Sequence, residues 1–118
     1  MSNIESITLT KDALIGSGAT VSLWSDRHAC TVIDFDDRKQ IITVRRDNAV
    51  RADKNGMSDC QSWEYSANEN GQTYRFKMKD GKWRQMYKNE KGTLVLRKPS
   101  DSDRLTVGTR NEYYDFTF

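Results

Sequence analysis

The feature that most constrains the fold is an alternating pattern on both sides of one dipeptide, Asp80-Gly81. In residues 72–79 and 82–88, side chains of one character recur at every second position, with side chains of the other character between them. Successive side chains of a β-strand point to opposite faces, so this period of two predicts two strands. An Asp-Gly pair between such runs favours a tight hairpin turn, because both residues tolerate positive φ. The sequence therefore predicts an antiparallel hairpin here. One face carries Tyr74, Phe76, Met78, Trp83, Gln85 and Tyr87, and the other carries Arg75, Lys77, Lys79, Arg84, Met86 and Lys88.

Similar segments cover the rest of the chain, and no segment holds a helical apolar pattern over three turns. Strands are predicted over 6–10, 19–24, 29–36, 40–47, 61–67, 72–79, 82–88, 93–97 and 104–109. A turn signal every ~8–12 residues is typical of a barrel or sandwich. We expect one all-β domain over residues 1–118, folded as a partly open SH3-like barrel or a strongly bent antiparallel sheet. Residues 1–15 are a candidate peripheral segment. The expected core adds Ile33, Phe35, Ile42 and Val44 to the apolar face of the hairpin.

Charge and composition limit the classes of function. The chain has 19 Lys and Arg against 17 Asp and Glu, a net charge of +2 with the signs interleaved. That balance does not favour non-specific duplex binding, so any site for a polyanion is expected to be local. No apolar run approaches the ~18 residues of a membrane span, and no export signal is visible. We therefore expect a cytoplasmic protein with reduced Cys30 and Cys60, and we predict neither a cofactor nor a metal site.

An Asp–His–Cys row lies in the segment 24–31. Asp26, His28 and Cys30 share one face if this segment is extended, in the order of parts of a thiol nucleophile site. Same-face neighbours on a strand stand ~6.5–7 Å apart, too far for a hydrogen bond between nucleophile and base. A structural histidine and a buried thiol are the favoured interpretation. A thiol enzyme using Cys30 and His28 is the minor alternative.

Arginines, aromatic side chains and short polar groups form a second set of candidates. Guanidinium groups bind phosphate with two hydrogen bonds, and aromatic rings stack on bases. The competing interpretation is a solvated strand face with Arg–Asp pairs. The predicted ligand-binding residues are Trp24, Asp26, Arg27, His28, Arg45, Arg51, Ser58, Asp59, Arg110 and Tyr113. Among them Arg27, Arg45, Arg51 and Arg110 would bind phosphate, Trp24 and Tyr113 would stack, and Ser58 and Asp59 would contact a ribose.

The chain ends in an aromatic segment, residues 112–118. Exposed Phe116 and Phe118 would favour aggregation, so this segment is predicted to dock against the domain as an edge strand.

Three segments carry a resemblance to a known group of proteins. Residues 24–29 (WSDRHA), 55–59 (NGMSD) and 110–116 (RNEYYDF) resemble small phage- and prophage-encoded proteins, and the likeness covers most of the chain after about Gly16. The group brings no established activity, so it assigns no functional residue. It implies a context, because small phage accessory proteins often bind and disable host components, and some sequester nucleotide signals of bacterial immunity.

Two functions follow as expectations. The first is a non-enzymatic, anti-defence phage protein that sequesters a nucleotide-type immune signal in the cytoplasm of the bacterial host. The alternative is a small β-barrel inhibitor or adaptor that binds a host protein or nucleic acid through Arg75, Lys77, Lys79 and Arg84. Neither involves a membrane, and the sequence leaves a homo-oligomer open.

Overall fold

Residues 11–54 and 61–114 are described by a computed structural model of the chain. Within these ranges a one-turn helix, nine strands and a 3₁₀ turn follow one another. They are α1 (Lys11–Leu14), β1 (Gly18–Ser22), β2 (Arg27–Asp36), β3 (Ile41–Arg46), β4 (Asn48–Arg51), β5 (Trp63–Ser66), β6 (Thr73–Lys79), β7 (Lys82–Lys88), β8 (Leu94–Leu96), the 3₁₀ turn (Pro99–Asp101) and β9 (Arg104–Val107). No helix among the described residues has the length and apolarity needed to cross a membrane.

Seven strands form one antiparallel sheet in the order β8-β7-β6-β3-β2-β1-β9, and β4 and β5 form a separate hairpin. The sheet bends back on itself. Gln85 on β7 donates its backbone N–H to Ser102 Oγ at 2.9 Å, and its Oε1 accepts the Asp103 N–H at 3.0 Å, just before edge strand β9. No ladder joins the two edge strands, β8 and β9, so the barrel is not closed. The prediction of an all-β, strongly bent antiparallel sheet is confirmed.

The core fills the concave, inner face of this sheet. Its largest fully buried side chains come from four neighbouring strands: Val21, Cys30, Val32, Phe35, Ile42, Val44 and Phe76. Trp83 packs against this cluster and meets Phe35 edge-to-face, with 6.4 Å between the ring centroids. Leu14 of α1 also packs into the core, although the sequence pattern did not predict this helix.

A β-bulge changes which residues of β2 are buried. The pairing of β2 with β3 shifts between Val32 and Asp34, so the alternation changes phase there. Val32 and Phe35 are both buried, three positions apart, whereas Ile33 is only half-buried. The prediction that Ile33 belongs to the core is therefore wrong, because the pattern assumed an unbroken period of two.

The hairpin around Asp80-Gly81 matches its prediction. Strand β7 has the predicted bounds, and β6 begins one residue late. Asp80 has a φ of 53° and Gly81 a φ of 79°, the two positive values that a type I′ turn requires. Tyr74 and Phe76 are buried as predicted, but Tyr87, predicted on the same core-forming face, is 40% exposed, so that part of the prediction is wrong.

The prediction was less complete elsewhere. Strand β4 was not predicted. The predicted strand 6–10 and the tip of the predicted loop 51–58 lie outside the described residues. The aromatic tail docks in its described part: the backbone of Tyr113 exchanges two hydrogen bonds of 2.9 Å with Arg27. Phe116 and Phe118 lie outside the described residues.

Candidate functional site

The convex, outer face of β3, β6 and β7 is strongly basic. Because the apolar side chains of these strands alternate inward, the residues between them point outward. Seven of these outward residues are cations, and together we call them the basic face: Arg45, Arg75, Lys77, Lys79, Lys82, Arg84 and Lys88. All seven are half-buried or exposed. In these three strands, which are described throughout, no acidic residue occupies the outer face.

The register sets like charges directly opposite one another. Lys77 faces Arg84 across the β6–β7 ladder, and Lys79 faces Lys82. Like charges at directly opposite positions destabilise a sheet. None of the cations of the basic face forms an ion pair with a described residue. Arg84 does donate from Nη1 to the Arg97 carbonyl, at 3.4 Å.

A cavity of about 460 Å³, here called the outer pocket, opens beside the basic face. It is lined by Thr31, Asp47, Tyr65, Ser66, Ala67 and Arg110. Thr31 lies directly opposite Arg45 in the β2–β3 ladder. The pocket therefore adjoins the β3 end of the basic face.

The planar groups of the outer pocket are fixed by hydrogen bonds. Arg110 donates from Nε to Asp47 at 2.8 Å and from Nη2 to Thr31 Oγ1 at 3.0 Å. Its side chain lies against Gly18, where a Cβ would come within 2.9 Å of Arg110 Cγ and Nη1. Tyr65 accepts the backbone N–H of Glu112 at its hydroxyl, at 3.1 Å.

On the other side of β2, a second polar cluster holds the C-terminal tail, and we call it the tail clasp: His28, Ala29, Arg46 and Glu112. Glu112 accepts the Ala29 N–H at 2.9 Å and forms an ion pair of 2.8 Å with Arg46. Arg46 Nη1 also lies 3.1 Å from both ring nitrogens of His28, only one of which can accept a hydrogen bond when the ring is neutral.

Burial is the largest cause of the pKa shifts of the two titratable groups His28 and Glu112 in the tail clasp. Desolvation lowers the pKa of His28, the Arg46 charge lowers it further, and Asp26 opposes both. Desolvation also raises the pKa of Glu112, although the Ala29 N–H and Arg46 act in the other direction. Both shifts favour the neutral form of the group.

A third place brings two of the predicted ligand residues, Arg27 and Tyr113, into contact. The guanidinium of Arg27 lies over the Tyr113 ring, 4.7 Å from its centroid. Arg27 Nε is buried and has no hydrogen-bond partner in the described part of the chain. Three residues earlier, Trp24 is 88% exposed in the turn between β1 and β2.

The predicted ligand residues thus fall into separate places. Arg27 and Tyr113 come together, with Trp24 and Asp26 in the turn just before them, and His28 belongs to the tail clasp. Arg45 and Arg110 lie at the basic face and the outer pocket. Arg51 is elsewhere, paired with Asp53 at 2.6 Å and 5.6 Å from the Trp63 ring centroid. Ser58 and Asp59 lie outside the described residues.

The Asp–His–Cys row does not form a nucleophile–base pair in the structure. The thiol of Cys30 lies 3.5 Å from the carbonyl oxygen of His28, to which it donates. Burial, reinforced by the charge of Asp47, raises the pKa of Cys30 to about 12. A thiol with that pKa is protonated near neutral pH. Cys60 lies outside the described residues.

The residues of these clusters that sequence reasoning missed include Asp47, Tyr65 and Glu112. Their partners are 16 to 83 positions away in the chain, and no local pattern reports such contacts. Lys82 was not named for the basic face, although it continues the alternation of Arg84 and Lys88. Comparisons of the chain with protein-family models, with curated proteins and with solved structures find no match.

Proposed function

We propose that this protein is a non-enzymatic binding protein whose basic face holds the phosphate backbone of a nucleic acid. The setting follows the resemblance noted in the sequence: a phage accessory protein that acts on a host component in the bacterial cytoplasm. The proposal rests on the arrangement of charge on this surface.

The observation that carries the proposal is the opposition of like charges on β6 and β7. Lys77 against Arg84 and Lys79 against Lys82 reduce the stability of the sheet, and none of the four forms an ion pair with a described carboxylate. A row of phosphates would offset them. The overall net charge is only +2, so a face with seven cations and no acid is a strong local departure from the chain average.

The spacing of the cations suits an extended anion. Same-face residues on one strand lie about 6.7 Å apart, and neighbouring strands about 4.8 Å apart. The basic face spans three adjacent strands, β3, β6 and β7, so its charges form a continuous surface rather than isolated points. Lys and Arg placed in this way neutralise phosphates and release their counterions, which drives binding at low salt.

A non-enzymatic role is supported by the state of the thiol. Cys30 is fully buried, and its pKa of about 12 keeps it protonated near neutral pH. A nucleophilic cysteine needs the thiolate form.

A nucleotide-type immune signal is the second candidate ligand, and a different place supports it. Arg27 stacks on Tyr113, and Arg27 Nε is a buried donor without a described partner. The indole of Trp24, three residues before Arg27, is exposed. A guanidinium beside aromatic rings can hold a phosphate and a base. A small nucleotide would then bind at the β1–β2 turn and not on the basic face.

One binding experiment separates the two ligands. Fluorescence anisotropy would follow a labelled oligonucleotide and a labelled cyclic dinucleotide at several salt concentrations. The double variant Lys77→Gln/Arg84→Gln should weaken oligonucleotide binding. It should also flatten the log–log salt slope, by about 0.7 for each phosphate that is no longer neutralised on a single strand, or about 0.9 on a duplex. Arg27→Ala should leave oligonucleotide binding unchanged.

The matched control is Lys91→Gln, which removes a positive charge in the turn between β7 and β8, off the basic face. It should leave both affinity and slope unchanged. An oligonucleotide affinity that does not fall as the salt concentration rises would contradict the proposal. Binding of the cyclic dinucleotide alone, abolished by Arg27→Ala, would establish the second candidate instead. No binding of either ligand would direct the search to an acidic host protein.

A further inference from the structure

The outer pocket differs from the basic face in its charge. Arg110 is paired with Asp47 at 2.8 Å, and Asp47 also accepts the Thr31 hydroxyl at 2.6 Å. The pocket is therefore close to electrically neutral, although it adjoins seven cations. Arg110 was predicted to bind phosphate, but its charge is already neutralised by a buried carboxylate. The neutral pocket suits an uncharged ligand group.

The outer pocket also carries two planar groups whose positions are fixed before any ligand binds. The guanidinium of Arg110 is held by hydrogen bonds to Asp47 and Thr31, and the ring of Tyr65 is held through its hydroxyl by the Glu112 N–H. Tyr65 nevertheless remains 36% exposed. Aromatic rings and arginine planes are the groups on which unstacked bases pack in proteins that bind single strands.

The outer pocket continues the basic face without a break. Arg75 faces Thr43, so it lies diagonally from Arg45, which faces Thr73. Such diagonal neighbours are about 7–8 Å apart. Arg45 in turn lies directly opposite Thr31 at the floor of the pocket. A backbone that runs along the basic face would therefore bring its bases to the mouth of the outer pocket.

From these three observations we infer that the nucleic acid is single-stranded, and that one unstacked base enters the outer pocket between Tyr65 and Arg110. This inference rests on the proposed function. The basic face supplies affinity for phosphate of any strand, and the outer pocket supplies the preference for a base that is free of a duplex. A cavity of about 460 Å³ lies within the range of roughly 300–1,000 Å³ that small-molecule sites occupy, and so accommodates a single base.

The test compares a labelled single strand with its own duplex by anisotropy at low salt, using the full chain. Tyr65→Ala should weaken single-strand binding roughly 5- to 150-fold, the range that one base–aromatic stack spans, and leave duplex binding unchanged. Tyr65→Phe is the matched control, because it removes the same hydroxyl but keeps the ring. It should bind the single strand like the wild type. A strand that carries abasic positions should bind the wild type as weakly as the intact strand binds Tyr65→Ala.

The outcomes separate this inference from the function on which it rests. Equal weakening in Tyr65→Ala and Tyr65→Phe would overturn it, because it would trace the effect to the bond with Glu112. Equal affinity for the intact and the abasic strand would overturn it as well. If Lys77→Gln/Arg84→Gln weakens binding while Tyr65→Ala does not, the inference fails and the proposed function stands. If no oligonucleotide binds at low salt, both fail.

Discussion

Charged side chains form an ion pair in the tail clasp, whereas those of the basic face form none with a described residue. In the tail clasp, Glu112 is 5% exposed, and its carboxylate meets both a backbone N–H and the Arg46 guanidinium. On the basic face, Lys77 and Arg84 stand opposite each other, and neither forms an ion pair with a described carboxylate. One region is a closed network that ties the end of the chain to β2. The other is an open surface whose charges repel.

The difference shows how to separate structural arginines from functional ones in this protein. Arg46 and Arg110 each come with an acidic partner whose side chain is at most 5% exposed, so they serve the fold first. A buried charge without a partner is expensive, which is why those pairs exist. Among the described residues, the cations of the basic face have no such partners, and the fold alone gives no reason for their placement.

The largest effect on stability is expected from a substitution that breaks the tail clasp. Glu112→Ala should lower the free energy of unfolding by about 2–3 kcal/mol, because it leaves the buried Ala29 N–H without an acceptor. Arg46 is 35% exposed and can turn to water, which limits the destabilisation. Urea denaturation followed by tryptophan fluorescence would measure the change.

Two controls sharpen that result. Glu112→Gln keeps an acceptor for the Ala29 N–H and removes only the ion pair with Arg46, so it should cost less than Glu112→Ala. Oligonucleotide affinity, measured where both variants are folded, should stay at the wild-type value. A drop in affinity without a drop in stability would mean that the tail clasp belongs to the binding surface.

The same contrast explains what sequence could predict here. The hairpin at Asp80-Gly81 and the faces of Tyr74 and Phe76 were predicted correctly, because turn chemistry and strand periodicity are local. The bulge that turns Ile33 away from the core left no signal in the alternation. The partner of Glu112 is 83 positions away at Ala29, and only the folded sheet brings them together.

The arginines show the limit most clearly. Sequence reasoning grouped Arg27, Arg45, Arg51 and Arg110 as phosphate ligands, since their residue type suits that role. The fold distributes them over separate places, and it pairs Arg51 and Arg110 with Asp53 and Asp47. Whether an arginine is paired depends on tertiary neighbours, which a single sequence does not reveal. That these four arginines bind a ligand stays a prediction.

A smaller effect of opposite sign is expected on the basic face. Lys77→Glu sets a carboxylate opposite Arg84 and replaces a repulsive cross-strand pair by an attractive one. Stability should rise by about 0.2–1 kcal/mol, while oligonucleotide binding weakens and its salt slope flattens. Thermal unfolding and anisotropy on the same sample would show both changes. A variant that is destabilised and binds normally would contradict the view that this face is kept for a ligand.

The smallest effect expected is a pH dependence of the tail clasp. The folded pKa of His28 lies below 6.5, so the folded protein binds fewer protons than the unfolded chain, and stability is lost as the pH falls through 6.5 towards the folded value. The folded pKa of Glu112 lies above 4.5, so its contribution has the other sign, and stability is lost as the pH rises from 4.5 through the folded value.

Asp26 and Arg46 also act on both groups, so the wild-type curve alone mixes the contributions of His28 and Glu112. His28→Gln and Glu112→Gln separate them: relative to the wild type, the first should gain stability on acidification below 6.5, and the second should lose stability as the pH falls towards 4.5. Parallel curves for all three proteins would mean that neither side chain changes its proton affinity on folding, and that the tail clasp holds by hydrogen bonds alone.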